Sequence, residues 1–134
     1  MNPSYSRSIA LLTVAAFFAV PYQAVAASKV WVETRRAGDM LDVTGFAQSD
    51  TALDAGFQMT VSKSGASGSV NSAQAGVGKL LPNSPTRLSQ SQVSVARGDI
   101  YCIKLALTAA GKQIGADSLV LRWDNPKAEH KPCS

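Results

Sequence analysis

Asp99-Ile100-Tyr101-Cys102-Ile103-Lys104-Leu105-Ala106-Leu107-Thr108 decides the fold. Tyr101, Ile103, Leu105 and Leu107 recur at a period of two, which places them on one face of a β-strand. Ile100, Cys102, Lys104 and Ala106 form the other face, which is mixed. A strand of this kind sits inside a sheet and leans its apolar side on a second layer. The remaining segments read as neighbours of this strand or as the layer across from it.

Downstream, Ala109-Ala110-Gly111-Lys112 spells a hairpin turn, and residues 113–123 return with Leu119, Leu121 and Trp123 on one face. Upstream, Arg97-Gly98-Asp99 turns the chain into the central strand. Residues 87–95 form a long polar strand whose Ser-Gln-Ser-Gln centre faces solvent on one side. Residues 78–85 read as a turn region held by Pro82 and Pro85, and residues 70–76 as a weak edge strand of small polar side chains. Residues 56–63 alternate cleanly, with Phe57, Met59 and Val61 inward. The loop Ser64-Gly65-Ala66-Ser67-Gly68 has two glycines to supply positive φ. Residues 48–54 are a polar connection. Residues 40–46 are a strand that Gly45 interrupts, the mark of a bulge, and residues 29–34 are a short strand before the Gly38-Asp39 turn.

About seven short strands with a turn signal roughly every 8–12 residues, and no helical periodicity after the N-terminus, predict an all-β chain. The expected architecture is an immunoglobulin-like antiparallel β-sandwich, with a small barrel as the alternative. Asp99-x-Tyr101 resembles a tyrosine corner. Cys102 follows that tyrosine by one residue and so points away from it, which excludes the usual inter-sheet disulfide.

The first 26 residues read as a leader. Arg7 gives a basic start, residues 9–20 are an uncharged apolar run, and Ala24-Val25-Ala26 is a small-residue cleavage pattern. A membrane anchor is the competing reading. The run falls short of the roughly 20 residues a spanning helix needs, and Pro21 follows it. The expected organisation is a signal peptide at 1–26, a sandwich at 27–124 and a C-terminal tail at 125–134. The mature product is then periplasmic, with no insertion into the membrane.

Losing Arg7 leaves twelve Lys and Arg against nine Asp and Glu, a net charge of +3. The basic residues are scattered, without a basic helix or an aromatic-interleaved patch, so nucleic acid is not the expected partner. A mildly positive field favours an acidic protein partner. Cys102 and Cys133, in a chain bound for an oxidising compartment, are read as one disulfide that ties the tail to the sheet. Two free thiols, or a pairing between chains, stay open.

The inventory for catalysis is thin. His130 lies in the tail between Glu129 and Lys131, where a histidine is ordinarily solvated. No Cys/His cluster has metal spacing. Asp39 and Asp42 flank a turn and read as surface charges, not as the paired carboxylates of a hydrolase. No glycine-rich loop precedes a helix, and there is no Cys-x-x-Cys. Arg97-Gly98-Asp99 matches a cell-adhesion tripeptide and is read as a plain turn. No enzyme activity and no cofactor are expected. What remains is surface, above all the edge strands, whose open N–H and C=O groups either recognise another extended chain or must be guarded against one.

The stretch Gly56-Phe57-Gln58-Met59-Thr60-Val61-Ser62-Lys63-Ser64-Gly65-Ala66-Ser67-Gly68-Ser69, followed by Gln74-Ala75-Gly76, resembles the central block of the CsgH proteins, relatives of CsgC in curli systems. Gly38-Asp39-Met40-Leu41-Asp42-Val43-Thr44-Gly45 is similar to their second strand. Residues 101–107 and 111–121 are similar to their closing hairpin. The resemblance implies a periplasmic immunoglobulin-like sandwich that keeps the curli subunit CsgA from forming amyloid before secretion, without catalysis or ATP. CsgC carries a Cys-x-Cys pair on a strand. Cys102-Ile103-Lys104 lacks the second cysteine, so a redox role has no support here.

Charge-dotted polar strands then suggest the mode of action. Transient, charge-assisted contacts hold an acidic, Gln/Asn-rich client, with Arg35, Arg36, Arg87, Lys104 and Arg122 as the candidate contacts and the protein acting as a monomer. Two rivals predict different behaviour. An adhesion module forms a stable complex with a folded partner, and a thiol enzyme built on Cys102 needs a reactive thiol that a Cys102–Cys133 bridge would remove.

Overall fold

The period-two patterns become eight β-strands and, among the described residues, no helix. The computed structural model describes residues 28–66 and 68–133. The expected leader, residues 1–26, lies outside the described residues. The strands are β1 (Ser28–Ala37), β2 (Met40–Ser49), β3 (Leu53–Gly65), β4 (Gly68–Leu80), β5 (Thr86–Ser94), β6 (Ile100–Ala109), β7 (Lys112–Arg122) and β8 (Asn125–His130). One sheet has the order β1-β2-β5 and the other β4-β3-β6-β7-β8, with every neighbouring pair antiparallel. The chain crosses between sheets after β2, β4 and β5, so a β-sandwich results and the small barrel does not.

The opening stretch is the spine of the five-stranded sheet. β6 lies between β3 and β7, and its inward residues Tyr101, Ile103, Leu105 and Leu107 are fully buried. Tyr101, Ile103 and Leu105 cluster with Val32, Leu41 and Val43 of the opposite sheet and Met59, Val61, Leu119 and Leu121 of their own. Burying a side chain of this size stabilises the fold by about 1.5–3 kcal/mol. A second small cluster, Ala47, Ala55, Leu80 and Leu107, closes one end of the sandwich.

Two irregularities follow from local sequence. The register between β2 and β5 shifts at Gly45 and Phe46, as the interrupted strand suggested. The unpaired residue is Leu88 on β5, which turns toward the core. A Cβ at Gly45 would lie 3.1 Å from Leu105 Cδ2, so the absence of a side chain lets the sheets close here. The β6–β7 turn has Ala110 at φ 51° and Gly111 at φ 78°, the two positive values of a type I′ hairpin.

The corner between β5 and β6 is built around Asp99 and Tyr101. The Tyr101 hydroxyl donates to the Ser94 carbonyl at 2.6 Å and lies 3.2 Å from Asp99 Oδ2. The same carboxylate accepts from the Ala96 N–H at 3.0 Å and faces Lys63 Nζ at 3.7 Å. Burial, and then the neighbouring Asp99 charge, push the Tyr101 hydroxyl up to about 12. Arg97-Gly98-Asp99 is therefore a turn with its carboxylate buried, which removes the adhesion tripeptide from the surface.

The structure departs from the expected organisation in three places. There are eight strands where about seven were expected, because residues 125–130 of the expected tail pair with β7 as β8. The weak strand at 70–76 is the middle of a 13-residue β4 that runs through the glycines to Leu80. Its small side chains hide the strand from a hydrophobic count, while the hairpin with β3 supplies its register. Asp42 is not a free surface charge: its Oδ1 is buried and has no hydrogen-bond partner among the described residues.

Candidate functional site

Among the described residues no three His, Cys, Asp or Glu side chains gather as they would around a metal ion. Cys102 and Cys133 are joined, with Cα atoms 5.8 Å apart, so Cys102 offers no thiol for the enzyme reading. His130 is exposed, but its Nδ1 lies 3.1 Å from Asp117 Oδ1, a carboxylate that also accepts the Val32 N–H at 3.0 Å. The chemistry on offer is that of two sheet faces and their edges.

The outer face of the five-stranded sheet is nearly flat in side-chain size. Pairing sets Asn71, Ser62, Cys102, Val120 and Glu129 in one row across all five strands, and Ala73, Thr60, Lys104 and Ser118 in the next. Directly opposed residues share a face, so this face is mostly Ser, Thr, Asn, Gln and Ala, with Lys104 and Arg122 on its inner strands, Lys79 on β4, and the apolar Val77, Ile100 and Val120 among them. The disulfide folds residues 131–133 back over it. Ser62, Ser64, Asn71, Cys102, Arg122 and Lys131 line the resulting groove of about 360 Å³. Lys131 is 2.8 Å from Glu129, and that bond holds the Glu129 carboxyl below its ordinary range.

The outer face of the three-stranded sheet has a different character. Trp31 and Phe46 stack with ring centres 5.5 Å apart and an interplanar angle of 12°. Arg87 is paired across from Phe46, and Arg35 across from Asp42. Arg36 belongs to neither face. It projects at one end, where its Nη1 donates to the Trp123 carbonyl at 2.8 Å and its guanidinium lies 5.5 Å from the Trp123 ring. Arg97 holds the same ring at the same distance.

The five candidate cations thus fall in three places: Lys104 and Arg122 on one outer face, Arg35 and Arg87 on the other, each pair separated by an intervening row of side chains, and Arg36 bound at the end. Arg97, Lys131 and the Trp31–Phe46 pair are the surface features that sequence reasoning missed. Only the aromatic pair carried a readable signal, since Trp31 and Phe46 each sit at an outward position of an alternating strand.

The edges are unequal. An edge strand left open is a template for another chain, and proteins blunt it with charge, proline, brevity or a cover. β1 is stitched to the other sheet by the Val32–Asp117 bond and by Ser28 Oγ, which donates to the Ile114 carbonyl at 2.8 Å. β5 is covered by Gln74, whose Nε2 donates to the Gln90 carbonyl at 3.3 Å and whose Oε1 accepts from Ser89 Oγ. β8 is six residues long, contains a proline and alternates Lys127, Glu129 and Lys131 beyond it. β4 has none of these devices. It is long, carries one charge, Lys79, and among the described residues no backbone partner other than β3 reaches it.

The family model of the CsgH protein matches residues 29–119. No curated protein matches the chain. Among solved structures, CsgH of R. palustris is similar with a TM-score of 0.58 and 16% identity, over 72% of this chain and 93% of that one. The curli protein CsgC of E. coli is similar with a TM-score of 0.57 and 19% identity, over 72% of this chain and 97% of that one. At these identities the structural likeness speaks for the fold, and the family follows from the sequence match over most of the sandwich. The chain belongs to the CsgH family.

Proposed function

We propose that this protein is a periplasmic curli accessory factor that delays amyloid formation by the curli subunit CsgA, using transient surface contacts and no catalytic step. Membership of the CsgH family supports a curli-related role. The observation that carries the finer reading is the combination of a largely polar, cation-dotted sheet face with edges of which three carry a cross-sheet bond, charge or proline and β4 carries neither cross-sheet backbone bond nor proline. Such a surface touches an extended, hydrogen-bonding chain without offering the dry apolar interface on which fibrils grow. The leader at 1–26 and the disulfide suit export to an oxidising compartment. The protein acts as a monomer in this account, because a single sandwich presents the whole contact surface.

Lys104 and Arg122, on the same face as the open edge, supply the electrostatic attraction for an acidic client. Arg35 and Arg87 lie on the far side and contribute at most to the general field. Thioflavin-T fluorescence with purified CsgA and a substoichiometric amount of this protein tests the proposal. A lengthened lag is expected, and an unchanged lag overturns it. The adhesion reading predicts instead a stable complex with a folded partner, which size-exclusion chromatography would register as a shifted peak.

A further inference from the structure

We infer that the free edge of β4 is the docking site, and that it takes an extended, Gln/Asn-rich segment of the amyloid-forming client as an added antiparallel or parallel strand. This deepens the proposed function and rests on it, since it names the edge and the mode of contact.

Three independent observations converge on β4. The first is elimination by hydrogen bonding. The β1 edge is tied to the opposite sheet by the Val32 N–H on Asp117 and by its own Ser28 hydroxyl on the Ile114 carbonyl, the β5 edge by Gln74 on the Gln90 carbonyl, and β8 is short and charged. Along the 13 residues of β4, alternate N–H and C=O groups point away from β3, which leaves about six residues able to pair with a new strand. The second is the placement of exposed apolar side chains. Val70, Val77 and Leu81, which are 56%, 79% and 57% exposed, lie on β4 or immediately after it. Apolar groups left in water beside an unpaired backbone edge are what strand addition covers. The third is charge. β4 contains no acidic residue, its one ionic side chain is Lys79, and Lys104 stands two strands away on the outer face. An acidic client is attracted to this margin and a second copy of this basic chain is not.

The small residues of β4 have a role in this arrangement. Ser69, Asn71, Ala73 and Ala75 project from the outer face and leave the edge sterically open. Gly76 presents only hydrogen where a Cβ would lie 3.0 Å from the Phe57 ring, so the edge strand lies close over the core. A client strand bound here has its own growing edge occupied on one side by a partner that cannot extend the fibril, because β3 occupies the far side of β4.

Amide hydrogen exchange followed by NMR on the full mature chain tests the inference, with a synthetic Gln/Asn-rich amyloid-forming peptide of CsgA as the probe. Exchange at alternate β4 amides is expected to slow about tenfold at saturating peptide, while amides of β1 and β8 are unaffected. The same peptide with alternate backbone nitrogens methylated is expected to give no protection. Protection confined to another edge or to the sheet faces, equal protection by the methylated peptide, or none at all would overturn strand addition. Ala75→Pro, which alters the free edge, is a second test where circular dichroism shows the sandwich retained; it is expected to need about tenfold more protein for the same thioflavin-T delay. If the wild-type protein delays CsgA but β4 stays unprotected, strand addition fails and the chaperone reading stands. If the wild-type protein gives no delay, the chaperone reading itself fails. A dimer in ultracentrifugation without peptide would assign β4 to a second copy and overturn the inference.

Discussion

At the scale of single residues, the Asp99–Tyr101 corner concentrates the buried polarity of the molecule. Tyr101 bonds the Ser94 carbonyl across the turn, and Asp99 gathers the Ala96 N–H, the Tyr101 hydroxyl and Lys63. Tyr101→Phe keeps the ring's packing and loses the hydroxyl's bonds, a destabilisation of about 1–2 kcal/mol in urea unfolding. The pH dependence has a definite sign. The unfolded phenol titrates near 10 and the folded one at about 12. The native state therefore holds the proton more tightly, so this contribution is complete below about pH 10 and is lost as pH rises toward about 12. Tyr101 is the one tyrosine of residues 27–134, so the phenolate absorbance of a chain made without residues 1–26 reports it alone. The expected outcome is a late titration in the native protein and an ordinary one in denaturant. Ala110 makes a separate prediction. It holds φ 51° without glycine's freedom, so Ala110→Gly raises stability by about 0.5–1 kcal/mol, visible as a higher midpoint in the same unfolding curve.

At the scale of elements, the strands with apolar alternation were legible and the others were not. β6, β3 and the inward half of β7 announce themselves because Tyr101, Ile103, Leu105, Met59, Val61, Leu119 and Leu121 recur at a period of two and are all buried. Gly45 was readable as the place of an irregularity, since a glycine inside a strand marks a bulge or a close approach; the register shifts there, but the extra residue is Leu88 on the partner strand. β8 was hidden. It pairs with only three residues of β7, Leu119, Val120 and Arg122, most of its side chains are polar with Ala128 alone packed on the core cluster, and the Cys102–Cys133 bond lies beyond its end. The candidate cations were readable as charges but their faces were not, since pairing across strands puts Lys104, opposite Ser118, and Arg122, opposite Ile100, on one face with the Cys102–Val120 row between them. The disulfide closes a loop of 31 residues, for which loop-closure entropy gives about 3–4 kcal/mol. Cys133→Ser should lower the unfolding free energy by up to that amount and speed amide exchange in β8, with the β3 and β6 amides still the slowest.

At the scale of the whole molecule, the proposed function rests on asymmetry between two faces and four edges. One sheet face carries the stacked Trp31–Phe46 pair with Arg35 and Arg87, and the other carries small polar side chains with Lys104 and Arg122, two and three strands in from the open β4 edge. Reversing both charges on the second face, Lys104→Glu with Arg122→Glu, is expected to raise the amount of protein needed for a given delay about tenfold, which is about 1.4 kcal/mol of lost contact energy. Reversing Arg35 and Arg87 should change it far less. Both pairs are exposed, so neither double variant should unfold the sandwich.

The most direct measurement is the lag of CsgA fibre growth, read by thioflavin-T, against salt concentration at a fixed substoichiometric amount of the wild-type protein. The account predicts a long lag at low salt that shortens as the attraction is screened over a Debye length of about 10 Å at 0.1 M. A lag equal to that of CsgA alone at every salt concentration would contradict it.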